Sequence, residues 1–121
     1  MHSCLVVDDS QVVRKVARRI LEGLEFEVEE AADAEEAYLA CLSRMPDFVI
    51  LDWNLPEGDG VDFIGRLRGM EGGDAPKVVF CTSEVDVAHI ARARRAGADE
   101  YILKPFDRAL VESKLHDIGA L

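Results

Sequence analysis

The sequence predicts an open α/β fold: a five-stranded parallel sheet of order 2-1-3-4-5 with five helices on both faces. Three observations predict it. Short apolar runs rich in β-branched and aromatic residues alternate strictly with longer stretches of helical periodicity, the pattern of parallel strands joined by crossover helices. The polar residues that interrupt this pattern, Asp8 and Asp9, Asp52, Thr82 and Lys104, all fall where a strand would end. Finally, 121 residues that are 49% hydrophobic and 31% charged suit one compact domain and exclude intrinsic disorder.

Each element has its own signal. Residues 5–7 form the first apolar run, and Val13, Val16, Ala17, Ile20, Leu21 and Leu24 then recur at helical spacing. Residues 26–31 alternate apolar with acidic side chains, as an edge strand does when one face meets water. Ala34, Ala37, Tyr38, Cys41, Leu42 and Met45 predict a second helix, opened by Asp33 with Glu36 three residues on in a capping-box arrangement. Residues 48–51, 78–81 and 101–103 are too short for helices and read as the third, fourth and fifth strands. Helical stretches near 61–70, 85–96 and 107–118 complete the alternation, and Gly97 sits where a helix C-terminal glycine belongs. Residues 1–121 are read as one domain with no internal repeat, no linker and no output domain.

Charge narrows the function. The net charge is −10, with the acidic excess in the first half of the chain, so nucleic acid and anionic membrane are disfavoured as partners. The longest apolar runs are far below the roughly 20 residues a membrane span needs, and no targeting signal is visible, so a cytoplasmic location is expected. Cys4, Cys41 and Cys81 are widely spaced without a CxxC pair, which supports neither a disulfide framework nor a zinc site and predicts reduced, buried thiols.

Open α/β sheets bind ligands at the carboxyl ends of their strands, and the predicted strand order brings Asp8, Asp9, Asp52, Thr82 and Lys104 to one crevice there. Three carboxylates at one strand edge raise each other's pKa, and a divalent cation relieves this. The candidate ligands are all oxygens, which suits Mg²⁺, with Mn²⁺ as a substitute, better than zinc or copper. A carboxylate beside a loosely caged Mg²⁺ is suited to receive a phosphoryl group, which makes Asp52 the nucleophile. Lys104, Thr82 and the metal would each stabilise one equatorial oxygen.

The runs Asp8-Asp9-Ser10, Leu51-Asp52-Trp53-Asn54-Leu55-Pro56 with Asp59-Gly60, Cys81-Thr82-Ser83-Glu84 and Gly97-Ala98-Asp99-Glu100-Tyr101-Ile102-Leu103-Lys104-Pro105-Phe106 resemble the receiver domain of response regulators, in particular the single-domain CheY-like type, and the resemblance covers the whole chain. It implies a two-component phosphorelay in which Asp52 accepts a phosphoryl group from a sensor histidine kinase or a histidine phosphotransfer protein. Mg²⁺ would be held by Asp9, Asp52 and the Asn54 backbone carbonyl, and by Asp8 through water. Thr82 and Tyr101 would form the switch, reshaping the face of the fourth helix, fifth strand and fifth helix where a downstream target binds. A cis Lys104-Pro105 peptide and tuning of hydrolysis by Asn54 and Glu84 are further implications. Such a protein is not an enzyme beyond catalysing its own phosphorylation and dephosphorylation, and chemotaxis or motility is the expected setting. A phosphorelay intermediate or stress-signalling receiver is the alternative.

Simpler readings stand beside these. Alone, Asp8-Asp9 could be a charge pair at a helix N-terminus; the convergence of five residues decides against that. Trp53 is expected at the rim of the pocket, Asp59-Gly60 as a turn and helix start, and His2, His89 and His116 on the surface. Arg92, Arg94 and Arg95 on the fourth helix read as a solvated face, with contact to an acidic partner or anionic ligand as the alternative. A haloacid dehalogenase phosphatase also uses an aspartate nucleophile, Mg²⁺ and a lysine, but opens with a DxD loop on its first strand, where this chain has Asp8-Asp9. A flavodoxin-like carrier needs a Ser/Thr/Gly-rich phosphate loop at that same place.

Overall fold

A computed structural model describes residues 2–55, 58–83 and 87–119. The elements run β1 (Ser3–Val7), α1 (Gln11–Gly23), β2 (Glu27–Ala31), α2 (Ala34–Ser43), β3 (Phe48–Asp52), β4 (Asn54–Leu55), β5 (Gly58–Asp59), α3 (Gly60–Arg68), β6 (Lys77–Thr82), α4 (Val87–Ala96), β7 (Glu100–Leu103) and α5 (Arg108–Asp117). Five strands pair in parallel in the order β2-β1-β3-β6-β7. With the β4–β5 hairpin set aside, this is the predicted 2-1-3-4-5 order. The hairpin itself was not predicted: two-residue strands are too short to show a period.

Two cores cover the sheet, one on each face. Strand side chains alternate, so Leu5, Val7, Val49, Leu51, Val78 and Phe80 meet α2, α3 and α4 through Ala37, Cys41, Phe63, Ile64, Leu67 and Ala93. Cys4, Val6, Phe48, Ile50, Val79 and Cys81 point the other way onto α1 and α5 through Ala17, Leu21, Val111 and Leu115. β2 is an edge strand, and its alternation holds only over Glu27–Glu29: Val28 is buried on the α1 and α5 face, but Ala31 is buried on the opposite face, the one Glu29 shares, and Glu30 is half-buried. All three cysteines are free and buried, Cys4 and Cys81 on one face and Cys41 on the other. Burial pushes the Cys41 thiol up to about 11 and the other two well above their ordinary value.

Two predicted apolar stripes are wider than the core needs. Val16 on α1 and Leu42 on α2 are exposed, as are their neighbours Val12 and Leu39. A helix lying on a sheet buries the narrow stripe beneath its axis, here Ala17 with Leu21 and Ala37 with Cys41. Periodicity alone does not say where that stripe stops.

The helix ends follow the local chemistry. Ser10 Oγ accepts from Val13 N, Asp33 from Glu36 N at 2.8 Å, and Asp107 from Leu110 N at 2.9 Å. In the predicted capping box, Glu36 reaches back one residue further than the simplest form, accepting from Ala32 N at 3.3 Å. At the C-terminus of α4, Gly97 is left-handed at φ 121°, and Gly97 and Ala98 donate to Arg94 and Ala93 carbonyls. α1 closes in the same way, with Glu25 N bonded to Glu22 O and Phe26 N to Leu21 O, but its left-handed residue is Glu25 at φ 70°. A side chain there costs roughly 1–2 kcal/mol, partly offset by the greater entropy a glycine loses on folding. Glu25→Gly is therefore expected to stabilise the protein by roughly 0.5–1 kcal/mol, seen as a higher urea midpoint at unchanged slope. A lower midpoint would show that the Glu25 side chain contributes more than its backbone conformation costs.

Candidate functional site

The sheet brings the predicted residues together. Asp8 and Asp9 follow β1, Asp52 ends β3, Thr82 ends β6 and Lys104 follows β7. Among the described residues the buried polar side chains are Asp8 at 3%, Asp52 at 5% and Thr82 at 6% exposure, all at this one strand edge. Polar groups are buried at a cost, so their concentration here marks a site rather than a core. One oxygen each from Asp8, Asp9 and Asp52 lies within 4.8 Å of the others, with Asp9 at the exposed side.

Backbone and side-chain bonds hold the cluster in place. Asp8 Oδ1 accepts from Ser10 N at 2.9 Å, which turns the chain into α1. Asp52 Oδ1 accepts from Asn54 N at 3.2 Å, and the Trp53 amide donates to Cys81 O at 2.9 Å, so the loop after β3 is pinned to β6. Gly60 N donates to Trp53 O. A Cβ on Gly60 would stand 3.2 Å from Leu51 Cδ2 and 3.3 Å from Asp52 O, so a glycine lets α3 start against the acceptor strand. Lys104 N donates to Thr82 O at 2.9 Å, and the Lys104-Pro105 peptide is cis, as the family resemblance implied.

Lys104 Nζ lies 2.7 Å from Asp8 Oδ2 and 3.2 Å from Asp52 Oδ1. One ammonium therefore serves two buried carboxylates. Burial, followed by the Asp8 charge, pushes Asp52 above the ordinary carboxylate range despite the lysine. Burial works against the Lys104 charge, but its bond to Asp8 and the attraction of Asp52 outweigh it and raise Lys104 overall. The pair is thus asymmetric: the lysine is held charged while Asp52 is under-compensated. Three carboxylates against one ammonium leave two negative charges, the charge of one divalent cation. The donor set is all oxygen, so the residues present fit Mg²⁺ or Mn²⁺.

Most other predicted site residues are also in place. Tyr101 is half-buried on β7, its ring 6.0 Å from that of Phe80, with Lys114 Nζ 4.6 Å above it. Asn54 is exposed beside Asp52. Glu84 and Pro56 lie outside the described residues. Gly60 starts α3, as expected, while Asp59 is the last residue of β5, paired with Asn54, and not a turn residue. Arg92, Arg94 and Arg95 are exposed, and Arg94 pairs with Glu100 at 3.3 Å.

Two expectations need correction. Trp53 is not a rim residue: at 5% exposure it is in the core, packed on Phe80. β3 ends at Asp52, and the bond of Trp53 N to Cys81 O carries the chain on beside β6, which sends the indole under α4 instead of outwards. His89 is half-buried rather than a surface residue, its ring 5.4 Å from that of Trp53. His2 and His116 are exposed as expected.

Sequence reasoning missed two arginines. Arg14 donates to Asp8 O at 2.6 Å and pairs with Glu30, which also holds Lys15 at 3.0 Å and Arg18 at 2.6 Å. Burial raises the Glu30 pKa, but the bonds from Arg18, Lys15 and Arg14 overcome this and lower it. This network fixes β2 to α1 directly behind Asp8. Arg68 donates to the carbonyls of Gly73, Pro76 and Gly97 at 2.7–2.9 Å and pairs with Asp99, which accepts from Val78 N at 2.8 Å. It ties α3 to the start of β6 and to the turn before β7.

Fold and site together define an open α/β domain with an acidic pocket at the carboxyl ends of its strands, and comparison with known proteins gives its family. Residues 4–116 match the response regulator receiver domain, and the chain belongs to that family. It is the receiver domain of a two-component response regulator. It is 37% identical over 115 residues to the KDP operon transcriptional regulatory protein KdpE of Escherichia coli, covering 95% of this chain but 50% of KdpE, so it spans about half the length of that relative. It is 34% identical over 115 residues to chemotaxis protein CheY-3 of Vibrio cholerae, covering 94% of this chain and 88% of CheY-3. The solved structure of chemotaxis response regulator CheY4 of Vibrio cholerae superposes with a TM-score of 0.93 at 27% identity, covering 98% of each chain. Membership implies exchange with histidine kinase or phosphotransfer partners and with downstream targets. Among the described residues no helix is long and apolar enough to cross a membrane.

Proposed function

We propose that this chain takes a phosphoryl group onto Asp52 from the phosphohistidine of a sensor kinase or phosphotransfer protein, and that the phosphorylated form binds its target differently. The observation that carries the proposal is the burial of Asp8, Asp52 and Thr82 at one strand edge around Lys104. An Asp52 carboxylate oxygen attacks phosphorus in line; the P–N bond breaks and the imidazole leaves with its electron pair. An ionised carboxylate needs no base, so the pocket's work is positioning and charge stabilisation. Asp9, Asp52 and the Asn54 backbone carbonyl, with Asp8 through water, would hold Mg²⁺, and the cation would supply charge neutralisation at the phosphoryl oxygens. Lys104 moves from its two carboxylate partners to a phosphoryl oxygen, and the Thr82 hydroxyl donates to another. In hydrolysis a water molecule attacks phosphorus, the bond from the Asp52 oxygen to phosphorus breaks, and the free carboxylate and inorganic phosphate result, at a rate tuned by Asn54 and Glu84; the chain catalyses no reaction beyond its own phosphorylation and dephosphorylation.

Thr82 moving toward the phosphoryl group leaves space for the Tyr101 ring to turn inward, which reshapes the face of α4, β7 and α5 for a protein partner. This is a shift between two states. The likeness to CheY-3 and CheY4 supports a setting in chemotaxis or motility and a cytoplasmic location. The likeness to KdpE favours a second reading, in which the receiver serves transcriptional control.

The test uses acetyl phosphate as the small phosphodonor. With Mg²⁺ present, intact-mass measurement is expected to show one phosphoryl group on the wild type. Chelating the metal prevents it. A wild-type protein that stays unmodified at saturating acetyl phosphate and Mg²⁺ would overturn the assignment.

A further inference from the structure

We propose that Phe80 and His89 are positioning residues that transmit the state of the loop after β3, one to Tyr101 and the other to α4, through rings that meet at Trp53. The inference rests on the receiver reading above and adds a route that does not pass through Thr82. Four rings form a continuous line. The His89 ring lies 5.4 Å from Trp53 at 31°, Trp53 lies 5.4 Å from Phe80 at 52°, and Phe80 lies 6.0 Å from Tyr101 at 38°. All three separations are within the 4.5–7 Å at which tilted aromatic pairs attract.

Trp53 is the junction. It follows the acceptor directly, and both its backbone groups are bonded, N to Cys81 O and O from Gly60 N, so with its backbone held it answers a change at Asp52 by turning its ring. The indole is 5% exposed in a packed core, which cannot absorb such a displacement by compression and passes it on to the rings in contact. Phe80 is fully buried and stands opposite Tyr101 in the β6–β7 register, so it touches both the junction and the switch residue. His89 is on α4, and its contact joins that helix to the acceptor loop by side chains. The inward turn of the Tyr101 ring proposed above for the phosphorylated form gives the line a two-state element to bias.

The experiment uses the 121-residue chain with 3-fluorotyrosine and nitrogen-15 labels, with Mg²⁺ and beryllium fluoride standing in for the phosphoryl group. The chain has two tyrosines, and Tyr38, held under Arg66 at 4.1 Å away from this line, is the internal control. In the wild type the Tyr101 fluorine signal and the α4 amide signals are expected to move and Tyr38 to stay. Phe80→Leu should shrink the Tyr101 population shift about 5-fold, the low end of usual coupling, with uptake of phosphoryl from acetyl phosphate retained. His89→Ala should do the same to the α4 signals, and His89→Phe should restore them because it returns a ring. His89 is half-buried, so its alanine variant decides the matter if Phe80→Leu does not fold.

Wild-type-sized responses in Phe80→Leu and His89→Ala would overturn the proposal. So would a His89→Phe variant as deficient as His89→Ala, since the ring would then not be what couples. If the wild type takes up phosphoryl but neither Tyr101 nor α4 responds, the relay is refuted while phosphorylation of Asp52 stands. If it takes up none, the receiver reading fails and the relay fails with it.

Discussion

Asp52→Asn is expected to make the metal-free protein more stable at neutral pH and, at the same time, unable to take up a phosphoryl group. The two outcomes have one cause. Asp52 is buried, its pKa is raised by burial and then by Asp8, and the single Lys104 ammonium does not compensate both carboxylates. A carboxyl whose folded pKa exceeds its unfolded value opposes folding when ionised. That cost is fully present above the folded pKa and disappears as pH falls to the unfolded value. Asparagine keeps the oxygen that accepts from Asn54 N and Lys104 but removes the charge. The gain at pH 7 should be about 1–3 kcal/mol, the range for an imperfectly satisfied buried group. It should narrow as pH drops toward 4, because the wild-type carboxyl then becomes neutral too. Urea unfolding of both proteins without metal, from pH 4 to pH 8, measures this. A wild type more stable than Asp52→Asn at pH 7 without metal would mean that Lys104 fully compensates the pocket. Mg²⁺ at about 1,000 times its wild-type Kd should reverse the order, since it stabilises the form it binds by about 4.1 kcal/mol.

The residues of this pocket were legible because of where they interrupt the apolar runs. Asp8 after Val7, Asp52 after Leu51, Thr82 after Cys81 and Lys104 after Leu103 each break a short apolar run, so residue type and strand end coincide. The β2-β1-β3-β6-β7 order then brings them together without further information. Arg14 and Arg68 were not legible, because a long cation on an amphipathic helix reads as solvated until the fold brings Glu30 or Asp99 to it. Those pairings span 16 and 31 positions in the chain. Trp53 failed for a different reason. A lone aromatic just past a strand end belongs to neither period, and only the bond of its amide to Cys81 O decides that its ring goes inward. The pairing of His89 with Trp53 follows from that and could not be read without it.

Asp9→Ala is expected to weaken Mg²⁺ binding on the order of 100-fold, with little change in the stability of the metal-free protein. Asp9 differs from its two neighbours in its setting. Asp8 and Asp52 are buried and both bonded to Lys104, whereas Asp9 is exposed within the same 4.8 Å cluster. Removing it cuts the excess negative charge of the pocket from two to one while leaving the lysine bonds untouched. Ligand changes that disturb even the outer shell of a metal site cost 10–100-fold, so loss of a direct carboxylate falls at the upper end of that range. The titration can be followed by fluorescence of Trp53, the single tryptophan, whose backbone adjoins Asp52. Asp74→Ala, an exposed carboxylate in the loop before β6, provides the control and should leave the affinity unchanged. In the wild type, protons compete for the cluster, and because the Asp52 pKa is raised the affinity should begin to fall at a higher pH than an ordinary carboxylate site would allow. In Asp52→Asn that dependence should shift to lower pH, as the raised group is gone. Equal effects of Asp9→Ala and Asp74→Ala on the Mg²⁺ midpoint would show that the cation is held by overall negative charge and not by this cluster.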